Sequence, residues 1–309
     1  MFSYNPLRTL ASLKKVDDFP LYRMEYKGAY LFGSLLDKGI DRPVFRRLYR
    51  AVSPGACTSF VASGGGGKVV FGRNFDWSHK ASLLLYTDPP GGYASVSMVD
   101  LYYLGLDGMA EIPWTKRLTL LAAPHAAIDG MNECGVAIAQ NAVPRRQTPK
   151  DPNKPTVLNS QIVRLVLDRA RDVNEAIALI RRYNVDFAGT CVHFHVADAS
   201  GESAVVEYGD RGIVVVRGKS SRVSTNFLLS EANEPDCWRY RRVSGQIDDA
   251  STNGSFVGVM SLLESVSLPN TVWSAVYNLS TGEVRLVMGK DYDRVHQFRL
   301  DMRTPKRRP

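Results

Sequence analysis

Short apolar runs with interleaved polar positions dominate the chain between Cys57 and about residue 145. Runs of about four to eight such residues, bounded by glycine, proline or asparagine, are typical of β-strands. The glycines in SGGGG separate the first two runs and favour a hairpin connection between them. The pattern predicts strands in CTSFVA, KVVFGRNF, YASVSMVDLYYL, RLTLLAAPHAAI and, after a turn, GMNECGVAIAQNAV.

A helical period replaces this strand pattern in the middle of the chain. Apolar Leu158, Ile162 and Leu165 follow a spacing near 3.6 residues, which predicts a helix in VLNSQIVRLVLDRA. Asp172 followed by Glu175 resembles a capped start for a second helix, in VNEAIALIRRY. Two consecutive helices favour an outer helical layer over alternating βαβ units.

Strands return after these helices, and the chain closes with a hairpin. The pattern predicts strands in CVHFHVAD, SAVVEYG, GIVVVRG and SRVSTNFLL, then helices in CWRYRRVSGQI and FVGVMSLLESV. The last segment, TVWSAVYNLSTGEVRLVMG, is predicted to turn between Ser280 and Gly282, and a further helix is predicted upstream in DRPVFRRLYRAV. Because many of the strands are joined as hairpins, the sheets are predicted to be antiparallel.

The composition is that of an ordinary globular protein, since 44% of the 309 residues are hydrophobic and 23% are charged. This length allows one large domain or two small ones. No apolar run approaches the roughly 18 residues of a membrane span, and the first residues lack the apolar core of a signal peptide. The chain alone therefore predicts a cytoplasmic protein, with an upstream anchor left open.

Charge and cysteine content exclude several kinds of site. The net charge is +8, but the basic residues cluster in FRRLYR, WRYRRV and a tail, RTPKRRP, without a nucleic-acid-binding motif. The four cysteines form no CxxC pair. His193 and His195 alternate along a predicted strand, but no third ligand is spaced nearby, so they are interpreted as ordinary strand residues. We expect no metal, no cofactor and no nucleic-acid partner.

Cys57 stands at the head of an apolar run, after two small residues. A free thiol ionises near pH ~8.5, so a nucleophilic cysteine needs a base or a positive neighbour. Cleavage of the Ala56–Cys57 bond would supply a base, because the new α-amine has a pKa of about 7.7–8.0. This is the N-terminal-nucleophile solution. We expect Gly55 to provide unusual backbone angles at the cleaved bend.

Several segments together resemble one family. CTSF and GRNFDW resemble the start of the mature chain in the choloylglycine hydrolase and acid ceramidase superfamily of N-terminal-nucleophile amide hydrolases, which includes penicillin V acylases and isopenicillin N acyltransferase. GMNECGVAIAQNAVP, STNF, CWRYRRV and the closing hairpin resemble later segments of that superfamily, in the same order. The resemblance covers most of residues 57–290 and identifies the chain as a member.

The resemblance implies an α+β fold, a four-layer αββα sandwich with two mostly antiparallel sheets. It also implies a division of the chain into an N-terminal propeptide or small subunit (1–56), a catalytic domain (57–300) and a basic tail (301–309). The aromatic, amphipathic segment LYRMEYKGAYLFGSLL is expected to pack on the catalytic domain and can remain bound after cleavage.

The resemblance further implies a set of catalytic residues. Cys57 would be the nucleophile and, after cleavage, its own base. Arg73 would lie near the thiol and favour the thiolate, and Asp76 would accept a hydrogen bond from the new amine and orient it. The other implied members of the set are Asn141, Asn226 and Arg239.

The resemblance implies that two of these later residues stabilise the oxyanion, while the third is an arginine of the active site. Asn141 and Asn226 would donate hydrogen bonds to the oxyanion, and Arg239 matches the late arginine of the superfamily. Arg241 is the competing match for that arginine. Many relatives have histidine where Phe227 follows the Thr-Asn pair, so the pocket near Asn226 is expected to differ.

The resulting prediction is a self-processing cysteine amidase. It would cleave a linear, non-peptide amide of a small N-acyl amine or N-acyl amino acid through an acyl-thioester on Cys57, without metal or cofactor. The alternatives are an acyltransferase that passes the same acyl group to an amine, a non-catalytic binding protein with this fold, and, from the basic charge, a nucleic-acid binder. The sequence leaves the acyl and amine groups of the substrate open.

Overall fold

The computed structural model describes residues 5–30, 55–109, 111–144, 148–187, 189–232, 236–249 and 254–302. The predicted helix in DRPVFRRLYRAV and most of the basic tail lie outside these residues. In chain order, the helices and strands are α1 (Pro6–Ala11), β1 (Lys14–Asp17), β2 (Leu21–Tyr26), β3 (Ala56–Ser63), β4 (Val69–Asp76), β5 (Ser82–Thr87), β6 (Ser95–Asp100), β7 (Ala127–Asn132), β8 (Ala137–Ala142), β9 (Thr156–Leu158), α2 (Asn159–Arg169), α3 (Val173–Ile180), β10 (Asn184–Asp186), β11 (Val192–Ala197), β12 (Ser203–Gly209), β13 (Gly212–Arg217), β14 (Val223–Ser224), α4 (Trp238–Gln246), α5 (Phe256–Ser265), β15 (Thr271–Asn278), β16 (Glu283–Met288) and β17 (His296–Arg299).

Two large sheets contain most of the strands. The nine-stranded sheet has the order β1-β2-β5-β6-β7-β8-β11-β12-β13, and the six-stranded sheet has the order β14-β3-β4-β15-β16-β17. Within the described residues, only β2 with β5 and the small pair β9 with β10 run parallel. The prediction of mostly antiparallel sheets is confirmed, because hairpins such as β3–β4 and β15–β16 build both of them.

Three buried apolar clusters show how the layers stack. One packs α2 and α3 on the nine-stranded sheet and contains Ile162, Ile177 and Phe194. The second fills the space between the two sheets and joins Phe71 to Met98. The third packs α4 and α5 on the outer face of the six-stranded sheet. The predicted α+β, four-layer αββα sandwich is therefore confirmed, and burial of apolar surface on both faces of each sheet holds it together.

Three predicted strands are wrong in part. In YASVSMVDLYYL the strand ends at Asp100, and Leu101–Leu104 form a 3-10 helix. RLTLLAAPHAAI forms a 3-10 helix, Trp114–Ala126, and only its last residues enter β7. Pro124 explains part of this difference, because proline cannot donate a ladder hydrogen bond in a central strand. SRVSTNFLL contributes only the short β14, after which the chain leaves the sheet at Thr225. This early departure is what carries Asn226 to the edge of β3, as shown below.

The N-terminal residues form part of the nine-stranded sheet. Strand β2 pairs with β5 over six residue pairs, and β1 pairs with β2 at the sheet edge. Leu21 is fully buried between the two sheets, and Met24 is fully buried on the helical side. The proposed division of the chain at Cys57 stays a prediction. Among the described residues, no helix is long and apolar enough to cross a bilayer.

Candidate active site

Cys57 is the second residue of β3, and its side chain is buried between the sheets. Antiparallel pairing places Phe75 opposite Cys57 and Asp76 opposite Ala56. Gly55 was expected to provide unusual backbone angles, but its φ is not positive. It must be glycine for another reason, since a Cβ atom there would lie 1.5 Å from Cε3 of Trp77. Gly55 therefore packs directly against the indole ring of Trp77.

Side chains hold both polar backbone groups of Cys57. Its N–H donates to Oδ1 of Asn226 at 2.8 Å, and its carbonyl oxygen accepts from Nη1 of Arg239 at 2.7 Å. The same guanidinium donates to Oδ1 of Asn226 at 2.8 Å and to Oγ1 of Thr58 at 2.9 Å. Such charge-assisted bonds are stronger than neutral ones, so the backbone at Cys57 is held firmly from the side of α4.

Asp76 lies beside this arginine in a buried position. Its Oδ1 accepts from the Thr271 hydroxyl at 2.5 Å, and its Oδ2 lies 3.6 Å from Nη1 of Arg239. Oδ2 is buried and has no hydrogen-bond partner among the described residues. Burial raises the pKa of the Asp76 carboxyl to about 6, against the opposing effects of Thr271 and the two nearby arginines. One carboxylate oxygen is thus left open to a donor.

Arg73 is fully buried on β4, on the side of the strand that faces the other sheet. It donates to Oδ1 of Asn141 and, at 2.8 Å, to the carbonyl of Gln140, both on β8. Its Nε lies 3.4 Å from a carboxylate oxygen of Asp129 on β7. A buried guanidinium is tolerated only when it is paired and hydrogen-bonded, and these three contacts supply that pairing.

Asp129 is itself held by two aromatic donors. Nε1 of Trp273 lies 3.2 Å from one carboxylate oxygen, and the hydroxyl of Tyr277 donates to the other at 2.5 Å. Both aromatic residues come from β15, whereas Asp129 comes from the opposite sheet. These bonds join the two sheets directly beneath Arg73 and orient the carboxylate toward it.

The thiol of Cys57 experiences opposing effects. Burial is the largest and raises its pKa, while the positive charge of Arg73 lowers it. A hydrogen bond with the backbone of Ala142 also lowers it. Because the balance is a raised pKa, the thiol is protonated at neutral pH in the intact chain. Arg73 alone does not activate it, so the site needs a base.

The asparagine amide groups are engaged differently from the expectation. Nδ2 of Asn141 donates at 2.8 Å to the hydroxyls of both Ser59 and Ser224, so both of its hydrogens are used. Nδ2 of Asn226 donates to the carbonyl of Ala142 at 2.7 Å and has a second hydrogen. Oδ1 of Asn141 accepts from Arg73. The predicted oxyanion roles of both asparagines stay predictions.

The two strand histidines complete the network behind Asn141. Ser59 lies 2.8 Å from Nδ1 of His195, and Ser224 lies 2.8 Å from Nε2 of His193. Burial lowers the pKa of His195 to about 3, so its ring is neutral and can accept a hydrogen bond. The histidines hold the two hydroxyls that orient Asn141, which is more than the ordinary role expected for them.

The structure brings all six predicted site residues together through the contacts above. The competing Arg241 is exposed and pairs with Asp236 at 3.0 Å, so Arg239 is the arginine that reaches Cys57. The catalytic roles of the six stay predictions. Sequence reasoning missed Asp129 and Thr271. A charged residue within the apolar strand AIDGMN was a usable signal for Asp129, whereas nothing marked Thr271.

Comparisons with known proteins agree on fold and family. The sequence matches the family described as Acyl-coenzyme A:6-aminopenicillanic acid acyl-transferase over residues 63–293, a range that begins after Cys57. A search of curated proteins finds no match. Penicillin V acylase from Agrobacterium tumefaciens is similar in structure, with a TM-score of 0.60 and 19% identity over 80% of this chain and 88% of that one. A mutant of conjugated bile acid hydrolase from Clostridium perfringens aligns with a TM-score of 0.58 and 15% identity over 80% and 93%.

Proposed function

Because the chain belongs to the acyl-coenzyme A:6-aminopenicillanic acid acyl-transferase family, we propose that it is a self-processing cysteine amidase. Its substrate would be a small N-acyl amine or N-acyl amino acid, cleaved at a linear amide bond through an acyl-thioester on Cys57. Two proteins of similar fold are named as a penicillin V acylase and a conjugated bile acid hydrolase, which supports an acylated substrate.

One observation carries the proposal: the nitrogen and the carbonyl of Cys57 are both held by side chains, beside a buried carboxylate with an open oxygen. A structural cysteine in a strand does not need this arrangement. An N-terminal cysteine does, because Asn226 and Asp76 can accept hydrogen bonds from its α-ammonium group. The new positive charge would lower the pKa of Asp76, which burial otherwise raises.

The first step would be cleavage of the chain itself. The Cys57 sulfur forms a bond to the carbonyl carbon of Ala56, the Ala56–Cys57 C–N bond breaks, and the thiol proton ends on the released nitrogen. Water then hydrolyses the thioester, which leaves a carboxylate on Ala56 and restores the thiol. Arg239 keeps the Cys57 backbone in place during this exchange through its bond to the carbonyl.

Substrate hydrolysis would follow the same path. The α-amine takes the thiol proton, the thiolate attacks the substrate amide carbon, and the amine returns the proton to the leaving nitrogen. The positive charge of Arg73 favours the thiolate once a base is present. Water then releases the acid. Because burial raises the pKa of the thiol, repeated turnover of substrate would depend on the α-amine as base, whereas the single cleavage of the chain would proceed once and without it.

The N-terminal strands would stay with the cleaved protein. Strand β2 is bonded to β5 along six residue pairs, and Leu21 is buried between the sheets. Losing them would expose apolar surface and unpaired strand edges, which is unfavourable. Two polypeptides that separate in denaturant but co-elute under native conditions are the expected result.

The test compares wild type with Cys57→Ala and with Cys134→Ala as a matched control. Cys134 is half-buried, and burial raises the pKa of its thiol to about 12, so it should not react. Intact-mass spectrometry should show cleavage between Ala56 and Cys57 in wild type and in Cys134→Ala, and an uncut chain in Cys57→Ala. The cleaved proteins should release acid from N-acyl amino acids. Full amide hydrolysis by Cys57→Ala would refute the proposal.

Acyl transfer is the second candidate, and the description of the matching family as an acyl-transferase favours it. Both reactions share the acyl-thioester and differ in whether water or an amine resolves it. Adding a primary amine such as glycinamide to the reaction distinguishes them. A new N-acyl product that rises with amine concentration, at the expense of the acid, would show transfer. Acid alone at every amine concentration would show hydrolysis.

A further inference from the structure

A cavity lies at the end of the nine-stranded sheet, on the side that the helices cover. Its volume is about 430 Å³, which is within the range of small-molecule sites. The loop from Thr148 to Lys154, the residue that follows α3, strand β10 and the turn between β12 and β13 line it. None of the six predicted catalytic residues contributes to its lining.

The charge around this cavity is strongly positive. Lys150, Arg181 and Arg211 line it, and none of the three forms an ion pair with a carboxylate among the described residues. The lining contains one carboxylate, Asp151, and Lys154 lies 3.6 Å from it. Three cations therefore face a cavity whose single acidic group is already neutralised, which favours an anionic ligand.

Two hydroxyls in the lining are buried and have no hydrogen-bond partner in the part of the chain that the structure describes. The hydroxyl of Tyr208 and Oγ1 of Thr148 are both buried without a hydrogen bond to any described residue. The Tyr208 side chain is 6% exposed, and the rings of Phe187 and Phe194 pack on it at 5.2 and 6.1 Å. A buried hydroxyl without a partner is costly, so such groups are expected to bind something. Burial also raises the pKa of Tyr208, which keeps its phenol a donor.

The position of Tyr208 separates this cavity from Cys57. Tyr208 belongs to the apolar cluster between the helices and the nine-stranded sheet, whereas Cys57 belongs to the cluster between the sheets. Asn141 of the candidate active site lies on β8. Strands β8, β11 and β12 are consecutive neighbours, so Tyr208 on β12 is two strands away from Asn141, or roughly 10 Å across the sheet. The two sites therefore lie on opposite faces of one sheet.

We propose that this cavity is a binding site for a small organic anion, a carboxylate or phosphate monoester carried on an apolar body. Lys150, Arg181 and Arg211 would attract the anionic group, and the hydroxyls of Thr148 and Tyr208 would donate to it or to a polar atom beside it. The rings and aliphatic side chains of the lining would contact the apolar body. The site is independent of the thiol chemistry proposed above.

Isothermal titration of the full chain with phenyl phosphate, phenylacetate and neutral phenylacetamide tests the proposal. At least one anion should bind saturably, at least tenfold more tightly than the amide. Binding of phenyl phosphate alone would identify a phosphate ester as the ligand class, and binding of phenylacetate alone would identify a carboxylate. Equal binding of phenylacetamide, or no binding by either anion, would overturn the proposal.

Two variants test the residues. Tyr208→Phe should bind the anion about tenfold more weakly, and its urea midpoint should not fall, because the deleted hydroxyl bonds to no described residue. Arg211→Gln should weaken binding about three- to fivefold. Arg217→Gln is the matched control, since Arg217 lies on β13 outside the lining and bonds to Asn174. Unchanged affinity in Tyr208→Phe and Arg211→Gln would contradict the assignment.

The amidase proposal and the anion-site proposal can be refuted separately. Cys57→Ala should bind the anion with wild-type affinity, because Cys57 lies between the sheets and not in the cavity. An inactive wild-type protein that still binds the anion would refute the amidase proposal and leave this site intact. An active protein that binds neither anion would refute this site alone.

Discussion

The buried carboxyl of Asp76 should make the uncut chain less stable as the pH rises. Its folded-state pKa is raised by burial to about 6 from an ordinary value of 3.8, so the folded protein binds this proton more tightly than the unfolded chain does. A raised pKa of this kind contributes stability that is complete below pH 3.8 and is lost as the pH rises through about 6.

The magnitude follows from the shift. A difference of about two pKa units corresponds to about 3 kcal/mol of unfolding free energy over the whole titration. Roughly 2 to 2.5 kcal/mol of this is lost between pH 4 and pH 7. The side chain is fully buried, so solvent screening does not reduce the effect much.

The assay uses Cys57→Ala, which cannot cut itself by the proposed route, with and without Asp76→Asn. Asparagine keeps an acceptor for Thr271 but cannot ionise. Urea denaturation at pH 4, 5, 6 and 7 gives the free energy of unfolding of each protein. As the pH rises from 4 to 7, the free energy of unfolding of the double variant should increase by roughly 2 to 2.5 kcal/mol relative to that of Cys57→Ala. A difference that stays constant across this range would refute the raised pKa and the reasoning built on it.

Three further outcomes are expected from the geometry. Gly55→Ala should lose about 1–3 kcal/mol of stability in urea denaturation, because its Cβ would collide with Trp77. Intact-mass spectrometry should also show slower cleavage of this variant. Wild-type stability would contradict the contact. Arg73→Gln should lose about 3–5 kcal/mol, because it leaves Asp129 buried without its cation. The exposed Arg241→Gln should leave stability unchanged. Equal losses of stability in Arg73→Gln and Arg241→Gln would contradict the importance assigned to the buried pair of Arg73 and Asp129.

Local patterns were enough to predict most of the fold. Hairpins such as β3–β4 and β15–β16 join neighbouring segments, so alternating apolar runs and turn residues identify both strands and their pairing. The helices α2 and α3 show a clear 3.6-residue period because only one face of each packs on the sheet.

Two of the differences from the prediction depend on distant contacts. Strand β2 is stable as a strand because it pairs in parallel with β5, about sixty residues later, and no turn between them marks this pairing. In RLTLLAAPHAAI, apolar content resembled a strand, but the segment packs as a 3-10 helix on the helical side of the nine-stranded sheet. Tertiary packing overrides the local pattern in both cases.

The same distinction applies within the site. Cys57, Arg73 and Asp76 lie on one hairpin, so their spacing is a local property that sequence preserves. Asp129 and Thr271 reach the site from β7 and β15, and their importance depends on which charges they meet there. The oxyanion role of Asn141 stays a prediction, and in the intact chain Ser59 and Ser224 accept hydrogen bonds from its amide group.

Two features of the intact chain favour the proposed role of an α-amine at Cys57. Before cleavage, the sandwich holds a thiol that burial keeps protonated and a carboxylate oxygen of Asp76 with no described donor, a few ångströms from Arg239. An α-ammonium group at Cys57 would supply the donor that Asp76 lacks, and in its neutral form it would supply the base that the thiol lacks. One bond cleavage would thus relieve an unfavourable buried carboxyl and activate the nucleophile. A site built only for packing would have no reason to leave a buried carboxylate oxygen without a donor.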